Sequence, residues 1–165
     1  MGFQMTRKFV FRQPTALAVL VTLLWTPVFA SRKQPSPKQR IFAQKLIESA
    51  LSKHPEVSGV ELAIQSSIGC STIAATNPKD IGEKCDRDEL GPLRTGEPLV
   101  EKESDAFDIT MPLHDTTGKI IGTVGMDFKS EPGQQRSTVV DQARKITQEL
   151  EGQISSTEKL TELVP

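Results

Sequence analysis

The clearest pattern in the chain lies between Asp105 and Lys129, where apolar and polar residues alternate along two adjacent runs. One face of the first run carries four apolar side chains: Phe107, Ile109, Met111 and Leu113. One face of the second run carries Ile120, Gly122, Val124, Met126 and Phe128. Because strand side chains point alternately to the two faces of a sheet, this pattern predicts a β-hairpin, with a polar turn that ends in Gly118.

The flanking residues predict the rest of a sheet and two helices. Apolar residues at helical spacing predict a helix from Pro37 to about Lys53 and another from about Gln134 to Ile154. Between the first helix and the hairpin lie three predicted strands, at 59–65, 70–75 and 97–103, and a long loop at 79–96 with at most a short helix near Asp86–Leu93. The predicted fold class is α+β, a five-stranded antiparallel sheet with a long N-terminal helix and a C-terminal helix.

The first 30 residues have the layout of a secretory signal peptide. Arg7, Lys8 and Arg12 precede an apolar run, and Val28 and Ala30 take the minus-three and minus-one places of a cleavage site after Ala30. We therefore expect a periplasmic or secreted protein. The alternative is an uncleaved membrane anchor, although a span needs about 20 apolar residues and this run is shorter.

These patterns divide the 165 residues into one domain with appendages. The segments are a signal peptide (1–30), a flexible lead-in (31–36), the sheet domain (37–131), a C-terminal helix (132–155) and a polar tail (156–165). Residues 155–165 are expected to fray.

Charge excludes one class of partner. Without residues 1–30 the chain has 17 basic and 21 acidic side chains, a net charge of −4. A mildly acidic surface of mixed charges is not the basic footprint that nucleic acid or an anionic membrane requires. We expect no nucleic acid partner.

Cys70 and Cys85 are the two cysteines of the chain, and both follow the predicted signal peptide. In an oxidising compartment an even pair favours a disulfide, while two separate thiols are the alternative. The chain has no CxxC spacing and only two histidines, His54 and His114. We therefore expect neither a metal nor another cofactor.

Three stretches resemble the extracytoplasmic Cache sensor domains, which have a PAS-like fold: ATNPKDIGEKC, LRTGEPLVE and ITMPLHDTTGKIIGTVGMDFK. The resemblance covers roughly Pro37 to Lys129. It implies a curved antiparallel sheet with a helix across one face, and a small ligand on the other face under the loop between the second and third strands. In amino-acid-sensing members an Asp of the last strand contacts the ligand amine, and Asp127 matches that place. The absence of Tyr and of Trp after residue 30 departs from the rest of that motif.

Five residues are candidate ligand contacts. Arg94 suits a bidentate bond to a carboxylate, with a surface ion pair to a nearby acid as the alternative. Asp127 and Thr123 share the predicted ligand face of the last strand, and Asp108 and Thr110 lie on the corresponding face of its neighbour. A solvated strand position is the alternative for Asp127.

No nucleophile elbow or metal-spaced cluster occurs, so catalysis is not expected. The sequence predicts a non-catalytic protein that binds a small anionic or zwitterionic metabolite for extracytoplasmic sensing, alone, as a homodimer or with a membrane receptor. The alternative is a periplasmic interaction protein without a ligand, acting through the apolar stripe of its C-terminal helix at residues 139–154.

Overall fold

The structure, a computed structural model, describes residues 40–102 and 104–165. These residues belong to a compact unit that spans Pro35–Pro165. The predicted signal peptide and lead-in lie outside the described residues, so the cleavage site after Ala30 stays a prediction.

Within this part of the chain the backbone forms four helices and seven strands. The helices are α1 (Phe42–Lys53), α2 (Arg87–Thr95), α3 (Arg136–Glu151) and α4 (Thr157–Leu160). The strands are β1 (Arg40–Ile41), β2 (Val57–Ser66), β3 (Gly69–Ala75), β4 (Leu99–Lys102), β5 (Ala106–His114), β6 (Ile120–Lys129) and β7 (Leu163–Val164). Five of them form an antiparallel sheet in the order β3–β2–β6–β5–β4, and β1 pairs with β7. The α+β class and the five-stranded antiparallel sheet are confirmed.

The predicted hairpin is formed by β5 and β6, with Phe107 opposite Phe128 and Asp108 opposite Asp127. Its turn is held by Asp115, whose carboxylate accepts the backbone N–H of Thr117 at 2.9 Å.

One face of the sheet, here called the helix face, packs against α1 and α3 and forms the core. Its strand side chains are at most 7% exposed: Val60, Leu62, Ile64, Phe107, Ile109, Met111, Leu113, Val124, Met126 and Phe128. The helices add Leu46 and Ile47 from α1 and Ile146 and Leu150 from α3. Burying each large apolar side chain stabilises the fold by about 1.5–3 kcal/mol, so this face accounts for most of the stability.

The first helix starts later than predicted. Residues 40 and 41 are the strand β1, whose partners are Val164 and Leu163, and α1 begins only at Phe42. The backbone N–H of Phe42 donates to the carbonyl of Glu162 at 2.8 Å. At residues 40 and 41 pairing with the C-terminal strand therefore replaces the predicted helix, and residues 37–39 lie outside the described part.

The apolar stripe of the C-terminal helix is buried in the domain's own core. Val139, Ala143, Ile146, Leu150 and Ile154 are at most 2% exposed. In this structure the stripe is therefore not available for pairing with a partner helix. No helix in residues 40–102 or 104–165 is long and apolar enough to cross a membrane.

The expectation that residues 155–165 fray is wrong. They form α4 and β7, and Leu160 is fully buried. Ser156 caps α4 by accepting the backbone N–H of Lys159 at 3.4 Å. One buried leucine and the pairing of β7 with β1 are what order this polar segment.

Candidate ligand-binding cavity

A cavity of about 400 Å³ lies on the other face of the sheet, here called the cavity face. It lies between strands β2, β5 and β6 and a roof formed by residues 76–89. Its lining residues in the described part are Ser58, Gly59, Val60, Glu61, Thr76, Asn77, Asp80, Asp86, Asp88, Glu89, Asp108, Thr110, Gly125, Met126 and Asp127. The volume falls within the range of small-molecule sites in proteins.

Two glycines make room for two carboxylates in the cavity floor. Gly59 pairs with Asp127 across β2 and β6, and Glu61 pairs with Gly125 in the same register. A Cβ on Gly59 would lie 2.3 Å from Asp127 Oδ2, and a Cβ on Gly125 would lie 3.1 Å from Glu61 Cγ. Each acidic side chain thus lies over the glycine opposite. A Cβ on Gly59 would displace the Asp127 carboxylate, and a Cβ on Gly125 would require Glu61 to shift by a few tenths of an ångström.

The roof is fastened to the edge strand β3. Gly82 donates its N–H to the carbonyl of Thr72 at 2.9 Å, and Thr72 donates to Glu83 at 3.0 Å. The predicted disulfide between Cys70 and Cys85 is present, with a Cα–Cα distance of 5.3 Å. It joins β3 to the residue just before the N-cap of α2. A loop that carries cavity residues is therefore cross-linked to the sheet.

The first turn of α2 is fixed by a reciprocal capping box. Asp86 Oδ1 accepts the backbone N–H of Asp88 at 2.7 Å, and Glu89 Oε2 accepts the backbone N–H of Asp86 at 2.8 Å. Negative side chains suit a helix N-terminus, where the N–H groups lack partners and the helix dipole is positive. The bond to Asp88 lowers the pKa of the Asp86 carboxyl, while burial raises that of Glu89. The helix thus presents carboxyl groups to the cavity.

The cavity is strongly acidic. Of its fifteen described lining residues seven are acidic, and none is Lys, Arg or His. Burial first, and then the neighbouring carboxyl groups of Glu89, Asp80 and Asp108, together raise the pKa of Glu61 from 4.5 to about 7. This environment repels an anion and favours a cation.

Three of the five predicted contact residues line this cavity, namely Asp108, Thr110 and Asp127. Arg94 does not. The cavity is lined by the first turn of α2, whereas Arg94 is in the last turn, exposed, with its Nε donating to the carbonyl of Leu90 at 3.1 Å. A carboxylate clamp by Arg94 is therefore absent from this cavity.

Thr123 is not a lining residue either. It is 1% exposed, and its Oγ1 has no hydrogen-bond partner among the described residues. It lies on the cavity face between Ala63 and Pro112 of the neighbouring strands. Thr123 thus lies on the predicted face of the sheet, but it does not line the cavity.

The sequence interpretation missed Glu61, Glu89 and the two floor glycines. The sequence does contain a signal for Glu61 and for Glu89. Glu61 alternates with Leu62 in the predicted strand, so it points to the face opposite the core. Asp86 followed three residues later by Glu89 is close to a capping-box pattern and marks the start of a helix. Nothing in the sequence shows that the two acids meet, because this requires the register of β2 against the roof.

A second cavity of about 240 Å³ lies between α3, the end of β5 and the turn after α2. Its lining carries both signs of charge, with Arg144 and Glu151 among its residues. His114, the last residue of β5, is half-buried here, and its Nδ1 lies 2.7 Å from Glu151 Oε1. This mixed cavity does not favour one ligand charge.

In sequence, no family model and no curated protein matches the chain. In fold, the chain is similar to the GAF domain of a two-component sensor histidine kinase from Bacillus halodurans. The two share 11% identity and a TM-score of 0.52, over 69% of this chain and 94% of that one. The chain is also similar to a GAF domain/HD domain protein from Geobacter sulfurreducens, with 12% identity and a TM-score of 0.51 over 70% of this chain and 93% of that one.

At such identities the likeness is one of fold alone. It supports the predicted PAS-like sensor fold in its broad sense, since both structures are GAF domains. It does not single out the Cache family, which stays a prediction. The class that the fold and the cavity define is a small α+β domain of the kind that also occurs in a sensor kinase.

Proposed function

We propose that this chain is a non-catalytic sensor module that binds a small organic cation outside the cytoplasm. The observation that carries the proposal is the cavity of about 400 Å³ whose described lining holds seven carboxyl groups and no basic side chain. A cavity whose described lining carries charges of one sign attracts a group of the opposite sign, and an organic cation is such a group.

The charge of the cavity revises the expected ligand. An anionic metabolite would need a positive group, and the candidate for that role, Arg94, does not line the cavity. A carboxylate placed beside Glu61 and Asp127 would be repelled. The ammonium group expected opposite Asp127 fits the floor of the cavity, whereas no basic side chain among the described lining residues would hold the carboxylate of a zwitterion.

An organic amine fits the lining better than a bare metal ion. No three His, Cys, Asp or Glu side chains of the described chain are grouped so as to hold a metal. The lining also offers neutral hydrogen-bonding groups on Thr76, Asn77 and Thr110. An ammonium group donates to several such oxygens at once, and its carbon chain fills volume that a single ion leaves empty.

Location and signalling role complete the proposal. The signal-peptide layout of residues 1–30 and the disulfide that closes the roof support an oxidising compartment. The sensor-type fold supports a role in signal transduction, through a membrane receptor or a homodimer that responds to the ligand. Within this proposal the chain is a Cache-like domain, as the resemblance of residues 37–129 implies.

Binding of 1,4-diaminobutane, spermidine, glutarate and glutamate to residues 31–165 tests the proposal by thermal shift at pH 8. At 100 times the dissociation constant an amine should stabilise the fold by about 2.7 kcal/mol and raise the Tm by several degrees, while the two acids should have no effect.

Asp127→Asn should weaken amine binding about tenfold. Asp141→Asn is the matched control, because Asp141 is exposed on α3, on the other side of the sheet. Binding of the acids, or equal amine binding by both variants, would contradict the proposed ligand class.

A further inference from the structure

We propose that the cavity exchanges a proton held by Glu61 for the charged group of its ligand, so that binding is coupled to pH. This inference rests on the proposed function, because it describes how the same cavity responds to the same class of ligand. It adds a regulatory property: near and below neutral pH the empty module holds a proton that the loaded module has released.

Glu61 is part of the cavity floor. It lies on β2, the strand between β3 and β6, and its side chain extends over Gly125 of β6. Glu61 is half-buried and lies on the face of the sheet that α2 and the roof cover. A carboxyl group in this position has lost part of its hydration, which disfavours its charged form.

Every charged side chain among the described residues that line the cavity around Glu61 is acidic. From α2 and its N-cap come Asp86, Asp88 and Glu89, from the roof Asp80, from β5 Asp108 and from β6 Asp127. No basic side chain in the described part of the chain lines the cavity. Closely spaced carboxyl groups cannot all ionise without strong repulsion, so the most confined of them retains its proton.

Glu61 is the group on which burial and repulsion act together. The pKa of Glu61 is raised to about 7, first by burial and then by the carboxyl groups of Glu89, Asp80 and Asp108. Near neutral pH the empty cavity is therefore divided between a protonated and a deprotonated form.

A bound ammonium group reverses this balance. A positive charge beside Glu61 favours its carboxylate, and the proton leaves for the solvent. Because linkage is reciprocal, raising the pH strengthens ligand binding to the same extent that the ligand favours proton release. Exchange of one proton predicts that affinity falls about tenfold from pH 8 to pH 6 and about tenfold again from pH 6 to pH 5.

The first measurement is a carboxyl-carbon NMR titration of residues 31–165 without ligand, with the Glu61 signal assigned by its loss in Glu61→Gln. We expect its midpoint near pH 7. A midpoint near the ordinary value for glutamate, about 4.3, would overturn the proposal whether or not any amine binds.

The second measurement is calorimetric binding of 1,4-diaminobutane between pH 5 and pH 8, in two buffers of different ionisation enthalpy. This probe keeps its charge over the range, because alkylammonium groups titrate near pH 10. At pH 6.5 binding should release most of one proton per ligand. In Glu61→Gln the release should vanish, and affinity should change by less than about threefold over the range.

Glu89→Gln supplies a sharper variant, because glutamine at this position preserves the capping box. Removal of this neighbouring charge should move both the Glu61 midpoint and the binding curve to lower pH. Proton release that persists in Glu61→Gln would overturn the proposal. Failure of the diamine to bind at any pH would overturn both the proposed function and the exchange, and the ligand-free titration would show whether the proton site itself had been assigned correctly.

Discussion

The two faces of the central sheet are built from the same strands but differ in the side chains they carry and in how closely these are packed. On the helix face, Phe128 is fully buried and lies opposite Phe107. One residue earlier, Asp127 points to the cavity face, where it lies over Gly59. One face excludes water with large apolar side chains, and the other keeps open a space lined with carboxyl groups.

The difference teaches how a small domain separates stability from binding. An acidic cavity destabilises a fold, since like charges repel and their hydration is partly lost. The helix face offsets this cost with a closely packed core, and the disulfide offsets it on the cavity side. Residues one position apart should therefore differ in which property they control.

The largest effect is expected on the helix face. Phe128→Ala should lower the free energy of unfolding by about 3–5 kcal/mol, because it removes a fully buried ring and leaves a cavity in the core. Asp127→Asn should change it by no more than about 1 kcal/mol, since this residue is exposed. Urea unfolding of both variants measures the contrast. Similar losses in the two variants would break the comparison of the faces.

The next effect concerns the roof. Replacing Cys70 and Cys85 together by serine should lower the free energy of unfolding by about 3 kcal/mol, because the bond closes a loop of 15 residues. Since the roof carries Asp80 and leads into α2, the double variant should also bind the diamine more weakly. An unchanged diamine affinity would show that the roof keeps its position without the cross-link.

A pair of glycine substitutions separates the faces further. Gly122→Ala would place a Cβ 2.0 Å from the backbone carbonyl oxygen of Ala63, so the backbone must shift, at a cost of about 1–3 kcal/mol. Gly59→Ala meets only the end of the Asp127 side chain, which can rotate away. Stability should then change by less than about 1 kcal/mol, while diamine affinity falls about tenfold because the carboxylate has moved. Urea unfolding and calorimetry on the same samples distinguish the two effects.

The sheet could be predicted from the sequence because apolar and polar residues alternate one by one along its strands. The apolar positions from Phe107 to Phe128 identify one face, and the polar positions between them identify the other. The small elements were not predictable in this way. Strand β1 forms because β7 returns to it, and that pairing and the burial of Leu160 order the C-terminal tail. Such contacts depend on positions more than a hundred residues apart.

The candidate site was predictable only in part, for the same reason. Alternation predicts which face of the sheet carries the site and three residues of that face. The long polar stretch at 79–96 predicts the loop that covers them. The charge of the cavity does not follow, because it depends on which side chains of the roof turn inward. The start of α2 places Asp86 and Glu89 over the cavity floor. Arg94 is only a few residues further along the chain, but it lies in the last turn of the helix, where it is exposed.

The smallest effect is expected from pH, and it tests the cavity face by itself. The pKa of Glu61 in the folded chain is raised from 4.5 to about 7. Between these values the folded state binds more protons than the unfolded state, so this residue stabilises the fold fully below pH 4.5, and that contribution is lost as the pH rises to 7. Glutamine at this position has no such loss. Glu61→Gln should therefore gain about 1 kcal/mol over the original chain on going from pH 5 to pH 8, a figure discounted because the site is partly solvated.

Urea unfolding of both chains at pH 5 and pH 8 measures this change as a difference of differences, in which the titration of other groups cancels. Asp141→Asn is again the matched control, since it replaces a carboxyl group by an amide on the other side of the sheet. Its difference from the original chain should be the same at both values of pH. If Glu61→Gln behaved like this control, the crowded carboxyl groups would be solvated well enough to ionise together. The cavity face would then be an ordinary wet surface, and its contrast with the helix face would be one of packing alone.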